Sequence, residues 1–247
     1  MSDSFDAAVA GLAETLAARL QWYDDTGASH FPHPKKIQRE LLKEQEGYAS
    51  SMDIVERSAS KSLETLKDET IGFCEKCDLH QTRTKIVFGA GNRNADLMFI
   101  GEAPGAEDDR QGQPFTGKAG ALLDKMISAM GYSRESVYIC NIVKCRPPND
   151  RAPESGEVAR CEPFLKSQVN MVAPKIIVTL GRFASQCLLN SQERIGELRG
   201  HWKEYEGYTV MPTFHPAYLL QTPERKREAW HDLQKVMRRL KTNHARL

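Results

Sequence analysis

The sequence predicts an α/β protein: a three-layer α/β/α sandwich around a central, mainly parallel four-stranded sheet, with an N-terminal helical and mobile extension. Three observations predict it. From residue 95 onward, short apolar runs alternate with longer runs of helical period, as in a sheet covered by helices on both faces. The apolar runs are followed by Gly-, Pro- or Asn-bearing polar loops, where such folds gather their functional groups. No run approaches the ~18 apolar residues of a membrane helix, while 40% hydrophobic residues in 247 suffice for a real core.

Taken in order, Phe5 to Trp22 has apolar residues at helical spacing and reads as one amphipathic helix. The Ser-rich, charged stretch that follows, with "FPHP" inside it, reads as a linker, so residues 1–61 form the extension and 62–247 the domain. "ADLMFIGE" (95–102) is a strand, "GKAGALLDKMISAM" (117–130) a helix closed by Gly131, and "SVYICNIV" (136–143) a second strand. "ESGEVARCEPFLKSQVNMV" (154–172) is a helix with an acidic first turn. "PKIIVTLG" (174–181) is a third strand leading into the helix "RFASQCLLN". A hairpin turning at Glu206-Gly207 ends in the last strand, and a helix over 223–240 closes the domain.

Charge and cysteines bound the function classes. The net charge of +1 hides an asymmetry: residues 1–70 have 8 basic against 13 acidic side chains, and residues 224–247 have 8 against 3. A basic body permits phosphate contact, although a solvated helix face explains such runs equally well. The opening segment is acidic and interrupted by charge, so no signal peptide is read, and a cytoplasmic, reducing location is expected. There, a C-x-x-C such as Cys74–Cys77 points to metal or catalysis before a structural disulfide. Four thiolates would suit zinc or an iron–sulfur cluster alike, and a redox thiol pair is the alternative for the first two. Cys140 and Cys187 sit in apolar runs and read as small core residues.

The loops at the strand ends hold the other candidates. "GEAPGAEDDRQGQPFTGKAG" gathers Glu102, Glu107, Asp108 and Asp109 ahead of Phe115, and an acidic turn before a helix is also ordinary capping chemistry. Asn141 ends the second strand with a donor and an acceptor side by side. His215 ends the last strand, held by Pro216. The glycines of "GAGNRN" (89–94) are no dinucleotide loop, because a strand follows them and no helix does.

Five ordered segments, "CEKCDLHQTRTKIVFGAGNRNADLMFIGEAPG", "GQPFTGKAGALLDKM", "NIVKCRPPNDRAPE", "KIIVTLGRFA" and "FHPAYLL", resemble the uracil-DNA glycosylase superfamily, specifically its type-4, iron–sulfur members. The resemblance spans residues 62 to 240 and leaves the first 61 without a role. It implies an enzyme that acts on uracil-containing DNA, single- or double-stranded, flips uracil out, hydrolyses its N-glycosidic bond and leaves an abasic site; a monomer is expected, and the lack of long apolar runs predicts no membrane partner. It implies a 4Fe-4S cluster on Cys74, Cys77, Cys145 and Cys161, and this choice of iron comes from the resemblance alone. It assigns Asn141 to the uracil edge, Phe115 to stacking on the base and His215 to the O2 atom of the base. Some relatives carry Asp in the first motif where this chain reads Glu102-Ala103, so Ala103 can act only through its backbone. Glu102 is the first candidate for positioning water and Asp108 the second. Leu219 and Leu220 would fill the vacated stack, with at least one of them in the core, and Arg146 and Lys118 would meet phosphates. A glycosylase for hypoxanthine or xanthine, and a non-catalytic iron–sulfur DNA-binding module, are the competing readings.

Overall fold

The computed structural model describes residues 63–244. The expected N-terminal helix, the linker and the boundary at residue 61 lie outside the described residues. After a short helical turn (Leu63–Thr65), a wider turn (Leu66–Ile71) and a tight one (Asp78–Gln81), the order is β1 Ala90–Gly91, β2 Leu97–Gly101, α1 Ala106–Gln111, α2 Lys118–Ala129, β3 Tyr138–Asn141 and α3 Ser155–Val172. Then follow β4 Ile176–Leu180, α4 Gly181–Leu189, α5 Ile195–Leu198, β5 Lys203–Tyr205, β6 Tyr208–Thr213, α6 Pro216–Gln221 and α7 Lys226–His244.

The sheet order is β1-β3-β2-β4-β6-β5. Its four middle strands are parallel, as expected, but the sheet has six strands rather than four. β1 joins β3 antiparallel at one edge, and β5 joins β6 antiparallel at the other. The unexpected strand is only two residues of the glycine loop, too short for any periodic signal. The hairpin at Glu206-Gly207 is as expected, with Glu206 and Gly207 both at positive φ. The 223–225 stretch is a separate tight turn before α7.

The middle strands are buried on both faces, which is why "LMFIG" and "IIVTL" read as unbroken apolar runs. Alternate side chains feed two cores. Met98, Ile100 and Ile177 pack with Phe164, Leu165 and Val169 of α3 and with Ala184 and Leu188 of α4. Leu97, Phe99 and Val178 pack with Leu123 and Ile127 of α2 and with Leu233 and Val236 of α7. Those are the three layers. Among the described residues no helix is long and apolar enough to cross a membrane.

Candidate active site

The parallel register brings the carboxyl ends of the strands together: Gly101 stands opposite Asn141, and Leu180 opposite Thr213. Beyond them opens a cleft of about 430 Å³, lined by Glu102, Ala103, Asp108, Phe115, Lys118 and His215 among others. Its volume is that of a small-molecule site. Six of the sequence candidates therefore meet in one cleft.

Asn141 ends β3 opposite Gly101, behind the cleft wall at Phe115, and is 0% exposed. Neither Oδ1 nor Nδ2 has a hydrogen-bond partner. A buried amide left this way costs about 1–3 kcal/mol per unpaired group, so it is a feature to be explained by what enters the site. Gly101 makes room for it: a Cβ there would stand 2.4 Å from Asn141 Oδ1 and 2.5 Å from Phe115 Cζ. The amide and the aromatic ring share the space over that glycine.

Phe115 is held in an uncommon conformation, φ 55°, which only surrounding structure can maintain. Gly120 of α2 lets the helix approach; a Cβ there would overlap the Phe115 carbonyl. Arg134, paired with Asp124 at 2.7 Å, also donates to the carbonyl of Pro114. The ring thus stands 5.6 Å from that of His215, centroid to centroid.

His215 follows β6 and caps α6. The Ala217 N–H donates to its Nδ1 at 3.1 Å, so the neutral imidazole carries its hydrogen on Nε2. Burial holds its pKa down to about 4, against a smaller opposing pull from Asp108. Gly181, at φ 90°, allows α4 to pass close by: a Cβ there would lie 2.8 Å from His215 Cβ.

The two acids differ. Glu102 is half-buried in the cleft wall, and burial raises its pKa although Arg182 pulls the other way. Asp108 is engaged in structure. It accepts from Thr116 N at 2.7 Å, Thr116 Oγ1 at 2.8 Å and Gly105 N at 3.3 Å, which pins the Phe115 turn to the start of α1. Of the leucine pair, Leu219 is 1% exposed and packs with Phe214 and Ala229, whereas Leu220 is 42% exposed. Lys118 is exposed at the first position of α2. Arg146 is tied to Asp150 at 2.7 Å. Arg151, to which sequence reasoning gave no role, also lines the cleft and is held by a bidentate pair with Glu157. Its position just after the Pro147–Asp150 turn was the available signal.

Cys74, Cys77, Cys145 and Cys161 line a second, smaller cavity. Among the described residues no three or more His, Cys, Asp or Glu groups stand close enough to hold a single metal ion. A four-iron centre spreads its four thiolates wider than one ion does, and the donor set fits such an anionic group. Lys76, Arg83, Lys144 and Arg160 line the same cavity, and no described carboxylate does. Arg83 Nη1 already donates to Cys145 Sγ at 3.4 Å. Burial raises the thiol pKa of Cys77 and pushes that of Cys145 up to about 11 and that of Cys161 to about 12. Cys140 and Cys187 stand outside this cavity, Cys140 fully buried and Cys187 partly so.

A family model described as the uracil DNA glycosylase superfamily matches residues 88–234. The chain is 44% identical over 184 residues to a type-4 uracil-DNA glycosylase of Sulfurisphaera tokodaii, covering 71% of this chain and 83% of that one. It is 41% identical over 184 residues to a type-4 uracil-DNA glycosylase of Archaeoglobus fulgidus, covering 70% and 92%. A type-5 uracil-DNA glycosylase of Pyrobaculum aerophilum is more distant, 32% identical over 149 residues, covering 52% and 64%.

Proposed function

The chain belongs to the uracil DNA glycosylase superfamily, among its type-4 members, and on that footing we propose that it excises uracil from DNA by hydrolysis, with the residues of the cleft in the following roles. The observation that carries this reading is the buried, unpartnered amide of Asn141. Uracil flipped from the stack presents O4 as an acceptor and N3–H as a donor. Asn141 Nδ2–H and Oδ1 match that pair. Cytosine presents an amine and a bare N3 instead, so both contacts would be mispaired.

Phe115 stacks on the base. As the bond between N1 and C1′ breaks, its electron pair leaves with the base and the sugar becomes cationic. The His215 Nε2–H donates to O2, where the negative charge collects. Glu102, on the cleft wall, accepts a proton from the water that adds to C1′ or stabilises the cationic sugar; the uracil anion takes its proton from solvent. Asp108 holds the loop that carries Phe115. Leu220 fills the vacated stack, with Lys118 as a phosphate contact.

The test is release of free uracil from a uracil-containing oligonucleotide, single- or double-stranded. The wild-type protein is expected to release it, and Glu102→Gln to be slower by about 10²-fold or more, the range for a lost general base. No release by the wild type from either substrate would end this reading.

Cys74, Cys77, Cys145 and Cys161 would hold the 4Fe-4S cluster of a type-4 enzyme. When bound, it supplies a covalent tie between the 74–77 segment and the loop from Cys145 to Cys161, which bears the cleft residues Pro147, Asp150 and Arg151. Cys161→Ser is expected to contain less iron per chain than the wild type and to unfold about 5 °C lower or more. Iron content and melting point equal to those of the wild type would remove Cys161 from the ligand set. We also assign the protein to a reducing, cytoplasmic compartment, in keeping with its free thiols, and expect a monomer. Disulfides in freshly isolated protein, or a dimer in sedimentation, would contradict these two assignments.

A further inference from the structure

Lys144 sits in the middle of "NIVKC", three residues after Asn141 and one before Cys145, and it is 1% exposed. A lysine so deeply buried is uncommon unless paired, because stripping an ammonium of water is costly. Its Nζ donates to the main-chain carbonyl of Asn141 at 2.6 Å. Among the described residues no carboxylate forms an ion pair with it. Lys144 also lines the cavity of the four cysteines. One residue therefore borders the thiol cavity and holds the main chain of Asn141, beside the cleft.

Building on the uracil-excising, cluster-bearing reading above, we propose that Lys144 is a positioning residue joining the two sites: the negative charge of the four thiolates holds its ammonium, and the ammonium holds the Asn141 carbonyl. The thiol site thereby helps to orient the recognition amide. Asn141 ends β3, and its side chain has no hydrogen bond of its own, so its aim depends on how its backbone is anchored. By linkage, whatever loosens the thiol site loosens base recognition, and the reverse.

Lys144→Met keeps the length of the stem and removes the charge. The variant and the wild type, both purified with iron, are compared for iron loss to a chelator, for kcat and KM on uracil-containing single strands, and for inhibition by free uracil. Lys144→Met is expected to lose iron at least tenfold faster and to bind free uracil at least tenfold more weakly, with KM changing more than kcat. Lys144→Arg, which retains the charge, is expected to keep iron within about threefold of the wild type. Iron retention like that of the wild type in Lys144→Met, or inhibition by uracil like that of the wild type, overturns the proposal. Should Lys144→Met not fold, Lys144→Gln takes its place, with the same two results expected and the same two overturning the proposal. The controls separate the two readings. A wild type without iron or without uracil release defeats the functional reading along with this one, whereas an active, iron-bearing wild type beside a silent Lys144→Met defeats only this one.

Discussion

Asn141→Ala is expected to abolish nearly all uracil release while leaving the protein as stable as the wild type, or more so. The two halves of this expectation come from the same two atoms. With uracil in the cleft, Nδ2 and Oδ1 each form a hydrogen bond, and losing both, with O4 and N3–H left facing methyl carbon, costs about 3 kcal/mol or more, or at least 10²-fold in kcat/KM. In the free protein those atoms are buried without partners. Their removal deletes a desolvation cost that an ordinary core substitution would not relieve. The space is tight, since Gly101 approaches Oδ1 closely, so the cavity left behind is small. Uracil release and thermal unfolding, measured on one preparation, test both halves. Near-normal excision would show that the base is read elsewhere. A melting point several degrees below that of the wild type would show that the amide has partners in the free protein.

The distribution of what the sequence revealed follows from what each feature needs. The central strands were legible because burial on both faces makes their residues apolar without interruption, as in Leu97–Gly101 and Ile176–Leu180. The β1 edge strand was not, because Ala90–Gly91 is too short to show alternation. Helix α1 reads as loop in the sequence, since "AEDDRQ" has no apolar stripe and is held by caps and loop contacts instead. The strand ends singled out Asn141, His215 and Glu102, and the family resemblance gave these and Phe115 their roles, but side-chain partners lie in three dimensions. Asp108 and Glu102 look alike in sequence, and only the hydrogen bonds from Thr116 and Gly105 separate them. Leu219 and Leu220 are neighbours on a helix, about 100° apart around its axis, so one faces the core and the other solvent. Nothing in the composition says which. Lys144 has no role in the sequence reading, and its burial is what singles it out.

His215→Ala is expected to reduce uracil release by about 10²–10³-fold, the cost of one preorganised donor to a developing oxyanion. The identity of that donor is set by the fold. Ala217 N–H occupies Nδ1, leaving Nε2–H as the free donor of a neutral ring, and burial keeps the ring neutral by holding its pKa to about 4. Protonation would place a hydrogen on Nδ1, facing another hydrogen, and break the cap of α6. The rate is therefore expected to show no His215 titration between pH 8 and 5. Stability has its own signature. Unfolded histidine takes up a proton near pH 6.5, whereas the folded ring takes one only near pH 4, so in between the unfolded state binds more protons. The contribution of this group to stability is thus full above about pH 6.5 and falls as pH drops toward 4. His215→Ala removes that dependence. A comparison of melting point against pH for the two proteins would show the curves converging toward pH 4. A bell-shaped rate profile that breaks near pH 6.5 in the wild type, and is flattened in His215→Ala, would mean instead that the imidazole works by transferring a proton.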